Sequence, residues 1–131
     1  MSRENVELVR RAYDAFNRRD LDGFLSLMSE DVQTGSRLVS IEGGFHGHDG
    51  VRNWWSSLLD NFPDIKIEVV DVRDLGDAAL GEYWIRAHGA GSQTPVEDQQ
   101  WQVVRFRGGK VSSWQTFVSE AEALKAAGLT E

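Results

Sequence analysis

Residues 101–118, WQVVRFRGGKVSSWQTFV, set the tightest limit on what this chain can become, because two runs of strand-forming residues meet at Gly108-Gly109. A two-residue glycine link supplies the positive φ that tight hairpin turns need at both central positions. With Arg107 opposite Lys110, an unbroken ladder sets Phe106 against Val111, Val103 against Trp114, and Trp101 against Thr116. Directly opposed residues share a sheet face. Trp101, Val103, Trp114, Thr116 and Val118 are therefore expected to form one wall, with Arg105 and Ser112 at its turn end. The other face would carry Gln102, Val104, Phe106, Val111, Ser113, Gln115 and Phe117. Neither face is wholly polar, so both call for cover, one by helices and the other by more sheet or a second subunit.

Upstream, the hydrophobic period changes with position. Val6, Val9, Tyr13 and Phe16 recur at helical spacing, with Ala12 and Ala15 beside them, and predict an amphipathic helix over 4–18. Asp20 is placed to cap a shorter helix that buries Leu21, Phe24, Leu25 and Met28. A strand is expected over 32–41, then a glycine-rich rim loop over 42–50. The third helix carries Val51, Trp54, Trp55, Leu58, Leu59 and Phe62 on one broad face and stops at Pro63. Ile65, Ile67 and Val69 then alternate with polar residues, and the parity flips at Val70 and Val72, which points to a β-bulge. After a turn at 75–78, a long strand over 79–90 sets Tyr83, Ile85 and Ala87 on one side and Glu82, Trp84, Arg86 and His88 on the other. Ser119 and Glu122 have capping-box spacing for a last helix, which Gly128 would end.

Composition narrows the function. The 131 residues suffice for one domain over 1–131 with a sizeable core and show no linker. With no cysteine, thiolate nucleophiles, thiolate metal sites and disulfides are all ruled out. A formal net charge of −7 argues against a general nucleic-acid surface. Arg10, Arg11, Arg18 and Arg19 cluster, but alongside Glu4, Glu7 and Asp14, as on a solvated helix face. The charged amino terminus lacks a signal-peptide core and no run reaches membrane-spanning length, so a cytoplasmic protein without membrane contact is expected.

Helices followed by an antiparallel meander give an α+β order with helices on one face of the sheet. In that order, NVELVRRAYDAFNRRDLDGFLSLMSEDV, FHGHDGVRNWWSSLL and FRGGKVSSWQTFVSEAEAL resemble the SnoaL-like, polyketide cyclase-like branch of the nuclear transport factor two-like superfamily. The most specific pieces are 12–27, 47–55 and Gly109-Lys110-Val111 leading to Trp114. The resemblance implies a cone-shaped, curved mixed or antiparallel sheet wrapped around N-terminal helices, with a deep pocket between them. It also implies a homodimer through the sheet and a small hydrophobic ligand. Enzymes of that superfamily include cyclases, isomerases, dehydratases and epoxide hydrolases, so the fold locates a pocket without fixing its use.

The resemblance also implies a carboxylate two residues after the last-strand tryptophan. Here Thr116 follows Trp114 at that spacing, and a threonine is no general acid or base near neutrality. Epoxide hydrolysis is disfavoured further, since neither Tyr83 nor Ile85 supplies the arginine or aspartate of that pattern. The remaining candidates for chemistry are His46, Tyr13 and Tyr83: a pocket imidazole and two hydroxyls able to donate to a carbonyl or enolate oxygen. The plainer alternatives are a rim histidine and two core tyrosines. His88 is either an acid–base group or a strand-end surface histidine. His46, His48 and Asp49 invite a metal reading that lacks a further paired histidine. Phe16, Trp54, Trp101, Val103, Trp114 and Thr116 are expected to line a slot for a flat apolar ligand, in a reading that requires no metal or organic cofactor. Two functions stay open: a ligand-binding protein with isomerase, cyclase or dehydratase chemistry, and a non-catalytic binding or dimerising module.

Overall fold

A computed structural model of the protein describes residues 2–34 and 45–128. The chain runs α1 (Ser2–Asn17), α2 (Leu21–Ser26), β1 (Met28–Thr34), β2 (Phe45–His46), α3 (Gly47–Asn61), β3 (Lys66–Asp74), β4 (Ala78–His88), β5 (Pro95–Arg107), β6 (Lys110–Phe117) and α4 (Glu120–Ala126). The strands form one curved sheet in the order β2-β1-β6-β5-β4-β3. All neighbours are antiparallel except β1 and β6, which run parallel. This is the α+β architecture expected from the sequence. Among the described residues no helix is long and apolar enough to cross a membrane.

Local chemistry explains most boundaries. Asp20 accepts a hydrogen bond from the Gly23 amide at 2.9 Å and so starts α2, and Ser119 accepts from the Glu122 amide at 3.0 Å to start α4. Gly108 and Gly109 turn the last hairpin with φ of +60° and +79°. The predicted bulge in β3 is present: pairing with β4 shifts between Val69 and Asp71, and Val70, the extra residue, is 53% exposed. Helix α3 starts earlier than expected, at Gly47, and the strand expected over 32–41 begins at Met28. Residues 35–44, which include most of that predicted strand and the first third of the predicted rim loop, lie outside the described residues.

Helices α1, α2 and α3 cover the inner face of the sheet, where Val9, Phe16, Phe24, Val51, Trp54, Trp55, Ile65, Tyr83, Ile85 and Trp114 belong to one buried cluster. Asn17 ties the end of α1 to the edge strand β3. Its Nδ2 donates to the Ile67 carbonyl and its Oδ1 accepts from the Ile67 amide, each at 2.8 Å. Arg19, expected on a solvated face, instead donates to the carbonyls of Phe16, Pro63 and Ile65. Arg18 does remain on the surface, paired with Asp14 one helical turn away. On the outer face α4 closes a second cluster of Ala78, Leu80, Val103 and Ala123, with Trp101 and Phe117 packed against it. The cover on that face near β5 and β6 thus comes from the chain's own last helix.

Candidate functional site

The last hairpin does not keep an unbroken ladder. Phe106 faces Val111 as expected, but Arg105 faces Ser113, so Ser112 is an extra residue on β6. Beyond this bulge every pairing moves by one: Val104 faces Trp114, Gln102 faces Thr116 and Trp101 faces Phe117. Because side chains alternate along a strand, the slip separates the expected wall. Trp114 and Thr116 stay on the inner face. Trp101 and Val103 turn to the outer face beneath α4, which removes both from the proposed ligand wall.

The inner face encloses a hollow of about 50 Å³. One buried water needs about 10–15 Å³ of such space, so the hollow holds several waters as it stands, and a ligand of any size must displace its walls. Those walls comprise two groups. The aromatic group is Phe16, Phe24, Trp54 and Trp114; Phe24 stacks on Trp54 at 6.0 Å between centroids, and Trp54 meets Trp114 edge-on at 5.4 Å. The polar group is Tyr13, Tyr83, Gln100, Gln102 and Thr116. Since Val104 pairs with Trp114 and Gln102 with Thr116, the polar rung lies two residues along the hairpin from the aromatic one, about 7 Å at the rise of a strand.

The two tyrosine rings lie 5.4 Å apart. The Tyr13 hydroxyl donates to Gln102 Oε1 at 2.9 Å and the Tyr83 hydroxyl donates to Gln100 Oε1 at 3.0 Å. Gln100, 2% exposed, passes its own Nε2 hydrogen to Asp98 Oδ2 at 2.9 Å. Tyr13 reaches Gln102 by crossing Gly81, where an added Cβ would sit 2.1 Å from the Tyr13 hydroxyl oxygen. Burial, and then the neighbouring Tyr83, holds the Tyr13 phenol well above its ordinary range. Burial raises Tyr83 too, against a lowering hydrogen bond with Thr116, with the Asp98 charge adding to the rise. Both phenols are therefore neutral donors at any physiological pH.

The histidines lie elsewhere. His46 is exposed, its side chain caps nothing at the start of α3, and it is not among the residues lining the hollow. Its expected place beside the pocket is corrected to the rim, because α3 begins directly after it and carries the inward face only from Val51 onward. His48 Nε2 donates to the Met28 carbonyl at 3.2 Å. His88 Nδ1 lies 2.7 Å from Asp64 Oδ2 on the surface, and this contact holds the Asp64 carboxyl below the usual carboxylate range. Among the described residues no three His, Asp or Glu side chains gather as metal ligands would. Gln100, Gln102 and Gly81 were missed as site residues. Gln102 carried the one legible signal, since it shares strand parity with Val104, but the misplaced register put that face outside.

Residues 9–114 match the family described as the SnoaL-like domain, most of the chain's length. This chain belongs to the SnoaL-like domain family. Solved structures repeat the architecture of this SnoaL-like domain. An NTF2-like protein of unknown function from Burkholderia pseudomallei is 22% identical, with a TM-score of 0.79 over 93% of this chain and 95% of that one. TerC, co-crystallised with polyporic acid, is 17% identical, with a TM-score of 0.78 over 93% and 96%. IdmH from Streptomyces antibioticus, described as a candidate polyketide cyclase, is 21% identical, with a TM-score of 0.72 over 94% and 97%. At these identities the likeness speaks to fold alone. No curated protein matches the chain in sequence.

Proposed function

We propose that this SnoaL-like domain binds a small, largely apolar molecule in the hollow between its helices and the inner face of its sheet. One observation carries the reading: the hydrogen-bonded pairs Tyr13–Gln102 and Tyr83–Gln100 lie with Thr116 in a wall that is otherwise aliphatic and aromatic. Burying such groups gains little over leaving them in water even when they pair, so stability alone gives little reason to gather them in a core. Ligand pockets, in contrast, combine apolar walls with a few converging polar groups. The co-crystal of TerC with polyporic acid supports a small organic ligand for this chain as well.

Proton-transfer chemistry of the isomerase, cyclase or dehydratase type is the second reading. The tyrosine pair favours it, because two neutral hydroxyls can stabilise a developing enolate oxygen. Among the described residues, however, no carboxylate or imidazole lines the hollow, so none of them supplies a general base there, and binding without turnover is the better supported reading. Pairing of two copies through the outer face of the sheet belongs to the same proposal. Beyond α4 that face presents the half-buried Trp84 beside Arg86 and the exposed Gln115.

Thermal unfolding with a panel of small, flat, neutral aromatic ketones and phenols tests the binding reading. A ligand bound only by the folded state raises Tm with its concentration, and Tyr83→Phe is expected to reduce that rise. A panel that leaves Tm unmoved at millimolar concentration would overturn it.

A further inference from the structure

One residue that lines the hollow carries a buried donor with nothing to donate to. Trp54 is 7% exposed and lines the hollow, yet its indole nitrogen is buried and has no hydrogen-bond partner. Stranding a buried N–H forfeits its hydrogen bonds to water with no replacement, and native structures keep few such groups. Trp101 carries the only other orphaned buried side-chain donor among the described residues, but it packs on the outer face under α4, away from the hollow. An unpartnered indole is therefore not a site by itself; what distinguishes Trp54 is the cavity it borders.

Charge supplies the second observation. All the described residues that line the hollow are uncharged. An ion buried among them would lose its water without gaining a counter-charge. The charge that the polar rung reaches, through the Gln100 amide, is the Asp98 carboxylate, which adds repulsion against an anion. The third observation is the spacing on β6 between Trp114, whose ring meets that of Trp54, and Thr116, about 7 Å along the strand, which is the scale of one substituted aromatic ring.

Resting on the binding reading above, we propose that the ligand is an uncharged flat molecule with a hydrogen-bonding group at each end, a carbonyl-type oxygen accepting from Trp54 Nε1 and a hydroxyl or carbonyl meeting Tyr13, Tyr83, Gln102 and Thr116. The hollow is smaller than such a molecule, so binding displaces the aromatic wall. Trp54 is the member of that wall whose buried indole nitrogen has no partner.

The probe is 4-hydroxyacetophenone at mildly acidic pH, where it is neutral. Its counterparts of similar outline are 4-hydroxybenzoate, an anion, 4-hydroxybenzylamine, a cation, and 4-ethylphenol, which lacks the carbonyl. In the wild-type protein the indole N–H resonances are assigned by through-bond correlation, so the result does not depend on any variant folding. The expected result is a downfield shift of the Trp54 indole resonance with 4-hydroxyacetophenone, none with 4-ethylphenol, and no movement of Trp101. The neutral ketone should bind at least tenfold more tightly than either ion. Trp54→Phe should weaken the ketone about two- to tenfold more than it weakens 4-ethylphenol, the range for one hydrogen bond. Ketone binding that shifts other core resonances but leaves Trp54 still, or binding of either ion as tight as the ketone, would overturn the inference while sparing the binding reading. Failure of all four compounds to perturb any inner-face resonance would overturn both.

Discussion

Gly81 has no side chain, and the Tyr13 hydroxyl uses the space. An added Cβ would lie 2.1 Å from that oxygen and 3.1 Å from the ring carbon bearing it, so Gly81→Ala must push Tyr13 off Gln102. The expected loss is about 1–3 kcal/mol, as for other overpacked cores. Removing the hydroxyl first relieves the worst contact. Gly81→Ala should therefore cost less in a Tyr13→Phe background, and a double-mutant cycle by denaturant unfolding measures the difference. Additive losses would mean that the two residues do not meet. The same tyrosines govern alkaline stability. Both tyrosines of the chain are buried with raised pKa values, so above pH of about 10 the unfolded chain loses phenolic protons that the folded chain retains. Their contribution is complete below that pH and is lost as pH climbs past it. Spectrophotometric titration should show phenolate appearing only together with unfolding. Phenolate formed in a chain that keeps its native circular dichroism would contradict the buried hydrogen bonds.

At the scale of elements, one residue decides what the hollow contains. Ser112 is the extra residue of β6, and it keeps Trp114 and Thr116 inward while Trp101 and Val103 pass to the other side. Deleting Ser112 removes the bulge and leaves Ser113 opposite Arg105, Trp114 opposite Val104 and Thr116 opposite Gln102, so Trp114 and Thr116 stay inward. Cooperative thermal unfolding should persist. Loss of a buried tryptophan from the core would cost about 3–5 kcal/mol, a large part of the stability of a small domain, so a deletion variant without cooperative unfolding would show that Trp114 does not keep this register. This bulge also marks where the sequence stopped being legible. Helix faces, the caps at Asp20 and Ser119, the Gly-Gly turn and the bulge at Val70 all follow from local chemistry, and the parity flip at Val70 and Val72 announced its bulge in advance. Ser112-Ser113 carries no such mark: two small polar residues fit either face, so nothing in their chemistry betrays the slip. Tyr13, Tyr83, Phe16 and Trp54 line the hollow, and the period of one helix or strand suffices to put each on an inward face. The Gln100 and Gln102 partners required knowing how separate strands align.

At the scale of the molecule, the sheet separates two differently filled spaces. The outer one is closed by α4, where Ala123 packs with Leu80 and Val103, and the Arg105 guanidinium donates to the Ala126 carbonyl at 3.1 Å. The inner one holds the large aromatic side chains and yet keeps a hollow with five hydrogen-bonding side chains in its wall. A core selected for stability alone would close such a space, since unfilled volume costs about 24 cal/mol per Å³. The account therefore rests on the hollow being a place for a ligand. A crystal structure of the protein grown with 4-hydroxyacetophenone tests this most directly. The account predicts ligand density between Trp54 and Trp114 on one side and Tyr13 and Tyr83 on the other, with the aromatic wall displaced to admit it. Density confined to the outer face, or an inner face that stays closed at saturating ligand, would contradict it.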